Sequence, residues 1–372
     1  MIKLLKIFNE PAPYMVDLHK YLSKNSEEHP ELEYSGYFIF RSSSQKWSMI
    51  DTCKLLGMNV SKQSGLFKRF RNWFSEIRPK IDYCDFVIIP GYSPIENFLT
   101  SLYCVLTKKP YGYHYDSWRR SKKSLGFLLS KFFFRRASVL LAGGIRQRDF
   151  VIDHFGVSES RVLMAPLTVD VSRFRMKSKR EDRRIRIVCL GRLIYRKRFD
   201  VAIEAMKLLN EDPYVSEKIE LLVAGEGPEL NNLRSQAQNM DNIRFLGFVK
   251  EEDVPKILAD SDILLHPASF EPWGLVVVEA MLCGLVTIVT QQVGAGDLID
   301  NSIDGFVIDE SSPELIRNLI MEIVSDDEMC LKIGQKARNK ILEEWSFEKW
   351  DNPLREITRL VSTKWSDGNC MS

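Results

Sequence analysis

Short apolar runs rich in β-branched residues alternate along this chain with longer stretches whose apolar positions recur at helical spacing. In the first half the pattern predicts strands near 2–8, 34–40, 84–89, 110–114, 138–142 and 161–164. Helices are predicted between them, near 14–24, 62–78, 94–107, 121–136 and 146–155. After a charged, aperiodic stretch at 172–184, read as an interdomain linker, the alternation restarts. Strands follow near 185–190, 219–224, 243–246, 262–266, 286–290 and 305–308. Their helices fall near 198–210, 228–238, 251–259, 274–283 and 313–324, with a helical tail from 326 onward. Such alternation implies parallel sheets built from βαβ units. The expected fold class is α/β, two doubly wound domains facing each other across a cleft, with ligands outside the carboxyl ends of the strands. The expected boundaries are 1–175, 176–345 and a helical tail, 346–372, that crosses back to the first domain.

Composition narrows the class. At 372 residues the chain is long for one core, and 45% hydrophobic with 27% charged residues is ordinary for a soluble protein. The seven cysteines are scattered, with no C-x-x-C spacing, which speaks against a disulfide framework or a structural zinc site. Met1 to Phe8 is short and broken by Lys3 and Lys6, so it reads as a first core strand and not as a signal peptide. No uncharged run approaches the ~20 residues of a membrane span. A cytoplasmic protein is expected. The net charge of +2 hides an asymmetry: residues 1–175 carry 27 Lys and Arg against 16 Asp and Glu, a surplus of +11, and the remainder carries −9. The first half therefore suits an anionic partner.

The chemistry concentrates in Glu271-Pro272-Trp273-Gly274-Leu275-Val276-Val277-Val278-Glu279. Glu279 lies inside a run apolar all round, where an unpaired carboxylate is costly. Pro272 and Gly274 mark a turn, which puts Glu271 in the loop feeding the helix N-terminus and its free N–H groups, a place for a phosphate-bearing ligand. Gly191-Arg192-Leu193 through Asp200 follows a strand, so Arg192 and Lys197 can grip a diphosphate or can form a solvated basic turn. Asp200 reads as a helix cap. Gly225-Glu226-Gly227-Pro228 is either a nucleotide contact or a tight strand-to-helix turn. His114, within Tyr111-Gly112-Tyr113-His114-Tyr115-Asp116, stands at the expected cleft edge. Asp260-Ser261-Asp262 spells a D-x-D but falls at a helix-to-strand junction, and no metal is expected to be required. Two segments, 62–80 and 117–138, interleave basic and large apolar residues. Either could dock on an anionic membrane surface or present a basic outer face to solvent. No nucleic-acid module accompanies the charge, and no nucleic-acid partner is expected.

With these residues in view, the second half resembles the retaining glycosyltransferases of family 4, which have the GT-B fold. The resemblance rests on Gly191-Arg192-Leu193…Lys197…Asp200, Ala224-Gly225-Glu226-Gly227-Pro228, Ile243-Arg244-Phe245-Leu246-Gly247-Phe248, Pro267 through Gly274, and Glu279-Ala280-Met281. It covers about residues 185–310 and is looser before them. It implies transfer of a sugar from a nucleotide-sugar donor to a glycan or lipid-linked acceptor, without cofactor or metal. Arg192 and Lys197 would hold the donor diphosphate and Glu279 the ribose hydroxyls. Glu271 would meet the donor sugar, with the Gly274 and Leu275 amides nearby. His114 would approach the anomeric carbon from the first, acceptor-binding domain. Synthesis of a cell-envelope glycan such as lipopolysaccharide, O-antigen or capsule, at the cytoplasmic membrane face, is the expected setting. A non-catalytic scaffold of the same fold, or a nucleotide-sugar epimerase, is the alternative. Two loops depart from the family pattern: Asn9 to Tyr14, where many members carry two glycines, and Pro166-Leu167-Thr168-Val169-Asp170, where many have Pro-Asn.

Overall fold

Seven parallel strands form the sheet of the first unit: β1 (Ile2–Phe8), β2 (Leu32–Phe40), β3 (Asn59–Lys62), β4 (Phe86–Ile89), β5 (Tyr111–Tyr115), β6 (Val139–Ala142) and β7 (Val162–Met164), in the order β3-β2-β1-β4-β5-β6-β7. Six parallel strands form that of the second: β8 (Ile185–Leu190), β9 (Ile219–Ala224), β10 (Ile243–Gly247), β11 (Ile263–His266), β12 (Val286–Thr290) and β13 (Phe306–Ile308), in the order β10-β9-β8-β11-β12-β13. In each sheet the order reverses beside the first strand, between β1 and β4 and between β8 and β11. That reversal is where a doubly wound sheet opens a crevice at its carboxyl edge. The computed structural model describes the chain apart from residues 10, 41–58, 63–64, 92–93, 117, 119–124, 178–183 and 369–372.

The units divide the chain as Met1–Leu167 with Phe347–Ser372, and Thr168–Ser346. In the first unit one sheet face packs Leu5, Ile7, Val87, Ile89 and Tyr113 against Trp73, Ile77, Phe127 and Phe133. These last four come from the helical layer that contains α2 (Leu66–Asn72), α3 (Ile95–Leu106) and α4 (Leu125–Arg136). The other face packs Leu4, Phe8, Phe38, Phe86 and Ile88 against α1 (Pro13–Glu28) and against Trp350, Leu354 and Ile357 near the C-terminus. Burial on both faces explains why these strands read as continuous apolar runs. In the second unit α5 (Phe199–Leu209) covers one sheet face with Phe199, Ile203 and Met206, and α6 (Leu275–Leu282) follows the 267–274 loop.

Three sequence expectations change. The strand β3 lies between the predicted ones; Asn59-Val60-Ser61-Lys62 carries one apolar residue and so gives no periodic signal. The single helix expected at 62–78 is α2, a π-helical turn at Trp73–Ile77 and a further turn at Arg78–Tyr83. Pro79 has no N–H to continue the α-helical ladder, which is where the winding changes. Finally, residues 172–177 are no free linker. Phe174 is buried, the Lys177 amide donates to Cys283 O at 2.8 Å, and Lys177 Nζ lies 3.3 Å from Asp262, all within the second unit. The remaining linker residues, 178–183, lie outside the described residues.

Candidate active site

The sequence after β8 leaves the sheet through Gly191 (φ +148°) and turns into a short 3-10 helix, Tyr195–Lys197. This turn is stitched to the loop after β11, the neighbouring strand at the reversal: Ser269 N donates to Arg196 O at 2.9 Å, and Arg196 Nη1 donates to Phe270 O at 2.7 Å. The loop after β9 packs beneath it. A Cβ on Gly225 would come within 1.9 Å of Gly191 O, and one on Gly227 within 2.2 Å of Leu193 O. Leu193 N donates to Glu226 O at 2.9 Å across the same approach. The two glycines therefore serve loop-on-loop packing, the tight-turn side of the sequence alternatives.

The stitching brings Lys197 onto Glu271. Lys197 Nζ lies 2.6 Å from Glu271 Oε2, and Arg196 Nη1 reaches the same oxygen at 3.2 Å. Burial draws the Lys197 pKa below its usual value, and the Glu271 carboxylate opposes that shift. Arg192 is exposed, on the same loop, close enough for its charge to act on Lys197. Glu271 is held by backbone on both sides, its N donating to Gln292 O at 2.9 Å and its O accepting from Gly294 N at 3.0 Å. Gly274, at φ +96°, then redirects the chain into α6; Val277 N donates to Gly274 O at 2.9 Å, while the amides of Leu275 and Val276 precede the first intrahelical bond. The Leu275 and Val276 amides thus follow Glu271 within five residues.

Glu279 lies one turn along α6. Its carboxyl is raised from the ordinary value to about 7, chiefly by burial, with Arg173 acting against the shift and Glu251 for it. Arg173 and Glu251 are themselves an ion pair. Among the described residues no hydrogen bond reaches the Glu279 carboxylate.

Sequence reading passed over His266 and Arg196. His266 ends β11 fully buried, its Nε2 3.4 Å from Lys197 Nζ and 4.0 Å from Glu271 Oε2. Burial and the neighbouring cations Lys197 and Arg196 keep this ring neutral. Its Nδ1 is buried without a hydrogen-bond partner. A histidine at the carboxyl end of an apolar strand, directly before Pro267, was the available signal. Asp200, read as a helix cap, instead grips the Arg198 guanidinium at 3.1 Å, since Arg198 in the left-handed region begins α5 without a side-chain cap.

His114 belongs to the first unit and is 4% exposed. Its Nε2 lies 3.1 Å from Ala165 O, which can only accept, so that nitrogen bears the hydrogen. Nδ1 is then bare and faces Lys6 Nζ at 3.1 Å, and the ring meets Trp350 edge-on with centroids 4.7 Å apart. Burial first, and the Lys6 charge second, hold His114 well below the usual histidine range. Lys6 is drawn down to about 7 by burial. Both ring nitrogens of His114 are thus occupied within its own unit. At the reversal of that sheet, Asn9 bridges the loop of departing pattern to its surroundings, donating to Pro90 O at 3.3 Å and accepting from Asn97 Nδ2 at 2.8 Å.

Asp260-Ser261-Asp262 is structural. Asp262 accepts from Arg186 N at 2.9 Å, and Ser261 donates to Ile257 O at 2.8 Å. No cluster of three or more metal-ligating side chains occurs among the described residues. No helix among them is long and apolar enough to cross a membrane.

Residues 170–340 match the profile of the glycosyl transferases group 1 family. An uncharacterized glycosyltransferase of Methanocaldococcus jannaschii is 27% identical over 268 residues, 68% of this chain and 64% of its own length. The UDP-Gal:alpha-D-GlcNAc-diphosphoundecaprenol alpha-1,3-galactosyltransferase of Escherichia coli is 24% identical over 66% of this chain and 67% of its own. The chain spans less than two thirds of the length of the first curated relatives it matches, from 34% to 64%. In fold, the chain is similar to Anabaena HepE in complex with UDP, with a TM-score of 0.77, 16% identity and coverage of 96% of this chain and 99% of that one. It is also similar to the apo lipopolysaccharide outer core galactosyltransferase WaaB, with a TM-score of 0.72, 13% identity and coverage of 95% and 99%. Two doubly wound units with this likeness make the fold GT-B.

Proposed function

We propose, from the match of residues 170–340 to the glycosyl transferases group 1 family, that this chain is a retaining glycosyltransferase of family 4. It moves a sugar from a nucleotide-sugar donor to a glycan or lipid-linked acceptor in the synthesis of cell-envelope polysaccharide, such as lipopolysaccharide, O-antigen or capsule. It works peripherally at the cytoplasmic face of the membrane. The observation that carries this reading is the Lys197–Glu271 pair at the reversal of the second sheet, followed within four residues by the N-terminus of α6.

In this reading the donor diphosphate takes the place of Glu271 beside Lys197. Lys197 and Arg192 neutralise the two phosphates, and the Gly274 and Leu275 amides turn towards the donor. Glu271, freed from Lys197, accepts hydrogen bonds from sugar hydroxyls, and Glu279 accepts them from the ribose. The bond from the anomeric carbon to the phosphate oxygen breaks, and the negative charge settles on the diphosphate held by Lys197 and Arg192. The acceptor hydroxyl attacks from the same face, and its proton passes to the departing phosphate, which conserves the anomeric configuration. These fixed cations supply the charge that a metal supplies elsewhere, so no metal is required. His114, with both nitrogens engaged within its own unit, moves no proton in this reading.

The complexes of Anabaena HepE with UDP and with UDP-glucose support a nucleotide-sugar donor. The names of the Escherichia coli galactosyltransferase and of WaaB support an envelope glycan. The test is a thermal-shift screen of nucleotide sugars, since a ligand that binds only the native state raises its melting temperature. Transfer to lipid-linked acceptors follows, with the anomeric configuration of the product read by NMR. Full transfer by folded Lys197→Ala or Glu271→Ala overturns the site, an inverted product overturns retention, and a rate lost with chelator overturns metal independence. Donor conversion without acceptor favours the epimerase alternative.

A further inference from the structure

The segments 62–80 and 117–138 are separated in sequence by residues 81–116, yet the fold gathers α2 and α4 into one layer. Both pack on α3: Arg69 of α2 donates to Glu96 at 2.6 Å, and Phe133 of α4 meets Phe98 edge-on at 5.7 Å. Their inner residues, Trp73, Phe127 and Phe133, share a single core cluster on one face of the sheet. Their outer residues therefore point away from that face together.

Those outer residues are apolar where solvent usually finds charge. On α2 and the turn after it, Leu66 is 68% exposed, Phe67 81%, Phe70 45% and Phe74 44%. On α4, Leu125, Leu128 and Phe132 stand at i, i+3 and i+7, a single stripe, and are 72%, 60% and 42% exposed. Apart from Glu76, which accepts from Tyr37 Oη at 2.9 Å, the charges among them are basic: Lys68, Arg69 and Arg71 beside the first set, and Lys131, Arg135 and Arg136 beside the second. No acidic residue occurs in 66–75 or 125–136. Arg69 is occupied by the buried Glu96, whereas Lys68, Arg71 and Arg135 are exposed. Arg136 lies over the Phe132 ring at 3.8 Å, with its guanidinium held at the same surface as the aromatic edge. Arg119, Arg120, Lys122 and Lys123 of the expected segment lie outside the described residues.

We infer that the outward faces of α2 and α4 form one docking surface for an anionic lipid bilayer. Leu66, Phe67, Phe70, Leu128 and Phe132 enter the headgroup region, and Lys68, Arg71, Lys131, Arg135 and Arg136 meet its phosphates. This deepens the peripheral setting proposed above. Large apolar groups ringed by cations of one sign match a surface with an apolar interior and an anionic rim. A second copy of this chain would bring the same cations face to face. The layer of the first unit that carries α3 is then the side of the enzyme that faces lipid.

Co-sedimentation of the full chain with phosphatidylglycerol–phosphatidylcholine vesicles, against phosphatidylcholine alone, tests this. Binding to the anionic vesicles is expected, weakened by salt, and absent with phosphatidylcholine. Lys68→Glu with Arg71→Glu is expected to weaken it by roughly thirty-fold or more, from about fivefold for each basic group at the surface. Phe67→Ser with Phe70→Ser, which remove exposed side chains and leave the core intact, are expected to reduce it comparably, as are Leu128→Ser with Phe132→Ser. Absence of binding at low salt overturns the inference, as does binding indifferent to all three pairs. A concentration-dependent dimer that the serine variants abolish overturns it in favour of a second copy. Transfer to a soluble acceptor without vesicles reads the donor site separately, so loss of one reading leaves the other standing.

Discussion

Lys197 Nζ and Glu271 Oε2 lie 2.6 Å apart, which makes the two residues assigned to opposite ends of a donor each other's partner before any donor arrives. The Glu271 carboxylate opposes the loss of charge that burial imposes on Lys197, and in the function proposed above the pair opens as the donor seats.

Replacing Glu271 with Gln leaves Lys197 buried without its counter-charge. A loss of about 3 kcal/mol of stability is expected, read as a lower urea midpoint with an unchanged slope. Transfer is expected to fall by about a hundredfold or more. Lys197→Met combined with Glu271→Gln is expected to regain most of the stability and none of the activity. A double variant no more stable than Glu271→Gln alone would show that the pair is not what holds these loops.

Glu279 sets a pH dependence with a definite sign. Its folded value is about 7 against 4.5 for the free side chain, so between these values the folded protein binds the extra proton. Stability from this group is full below about pH 4.5 and is lost as pH rises through about 7. Glu279→Gln is expected to remove that slope, raise the melting temperature at pH 8, and weaken nucleotide binding. Chemical denaturation across pH 5 to 8, paired with nucleotide titration, checks both halves.

Lys6 acts in the opposite sense. Its folded value is about 7 against 10.5 when free, so the unfolded chain binds more protons between those values and stability rises with pH across that window. The charged form faces the neutral His114 at 3.1 Å and no carboxylate among the described residues, so protonation below pH 7 is what the fold resists. Lys6→Met is expected to be the more stable protein at pH 6, by on the order of 4 kcal/mol before any packing loss. Equal melting temperatures of the two proteins at pH 6 and at pH 9 would contradict this.

Gly225→Ala places a Cβ 1.9 Å from Gly191 O, a backbone atom that cannot swing aside. The loops after β8 and β9 must separate, and Lys197 moves with them. Lower thermal stability and weaker donor binding are expected together. A Gly247→Ala control, at φ +70° with nothing near its Cβ, is expected to strain the chain locally by about 1 kcal/mol and leave donor binding intact.

Most of this site was legible because its signals are local. β8, β9 and β12 fall at the residues that the apolar pattern marks, and Glu271, Gly274 and Glu279 belong to one continuous stretch whose carboxylate on an apolar helix is visible by eye. What was hidden is pairwise. Nothing in Tyr195-Arg196-Lys197 announces that Arg196 will bond Phe270 O, because that contact depends on β8 and β11 being neighbours in the sheet. His266 was missed for the same reason. His114 looked like a residue at a cleft edge, and only the fold supplies the Lys6 and Trp350 that enclose it. The strand β3 and the true extent of the 172–184 stretch depend on tertiary packing against β2 and α6, which periodicity does not encode.

The return of the last residues to the first unit has a consequence for how the chain is made. Trp350, Leu354 and Ile357 cover the face of the first sheet that holds Leu4, Phe8 and Phe86, and Trp350 Nε1 donates to Pro166 O at 3.2 Å. A ribosome delivers β1 through β7 first and this cover last, with all of Thr168–Ser346 in between. The second unit is contiguous and is free to fold as soon as it emerges. The first waits, its apolar sheet face covered by α1 alone, until residues 347–361 have followed the second unit. Truncation before Phe347 is therefore expected to leave the second unit folded and the first prone to aggregate, so a segment that follows the whole second unit decides whether the unit synthesised first survives.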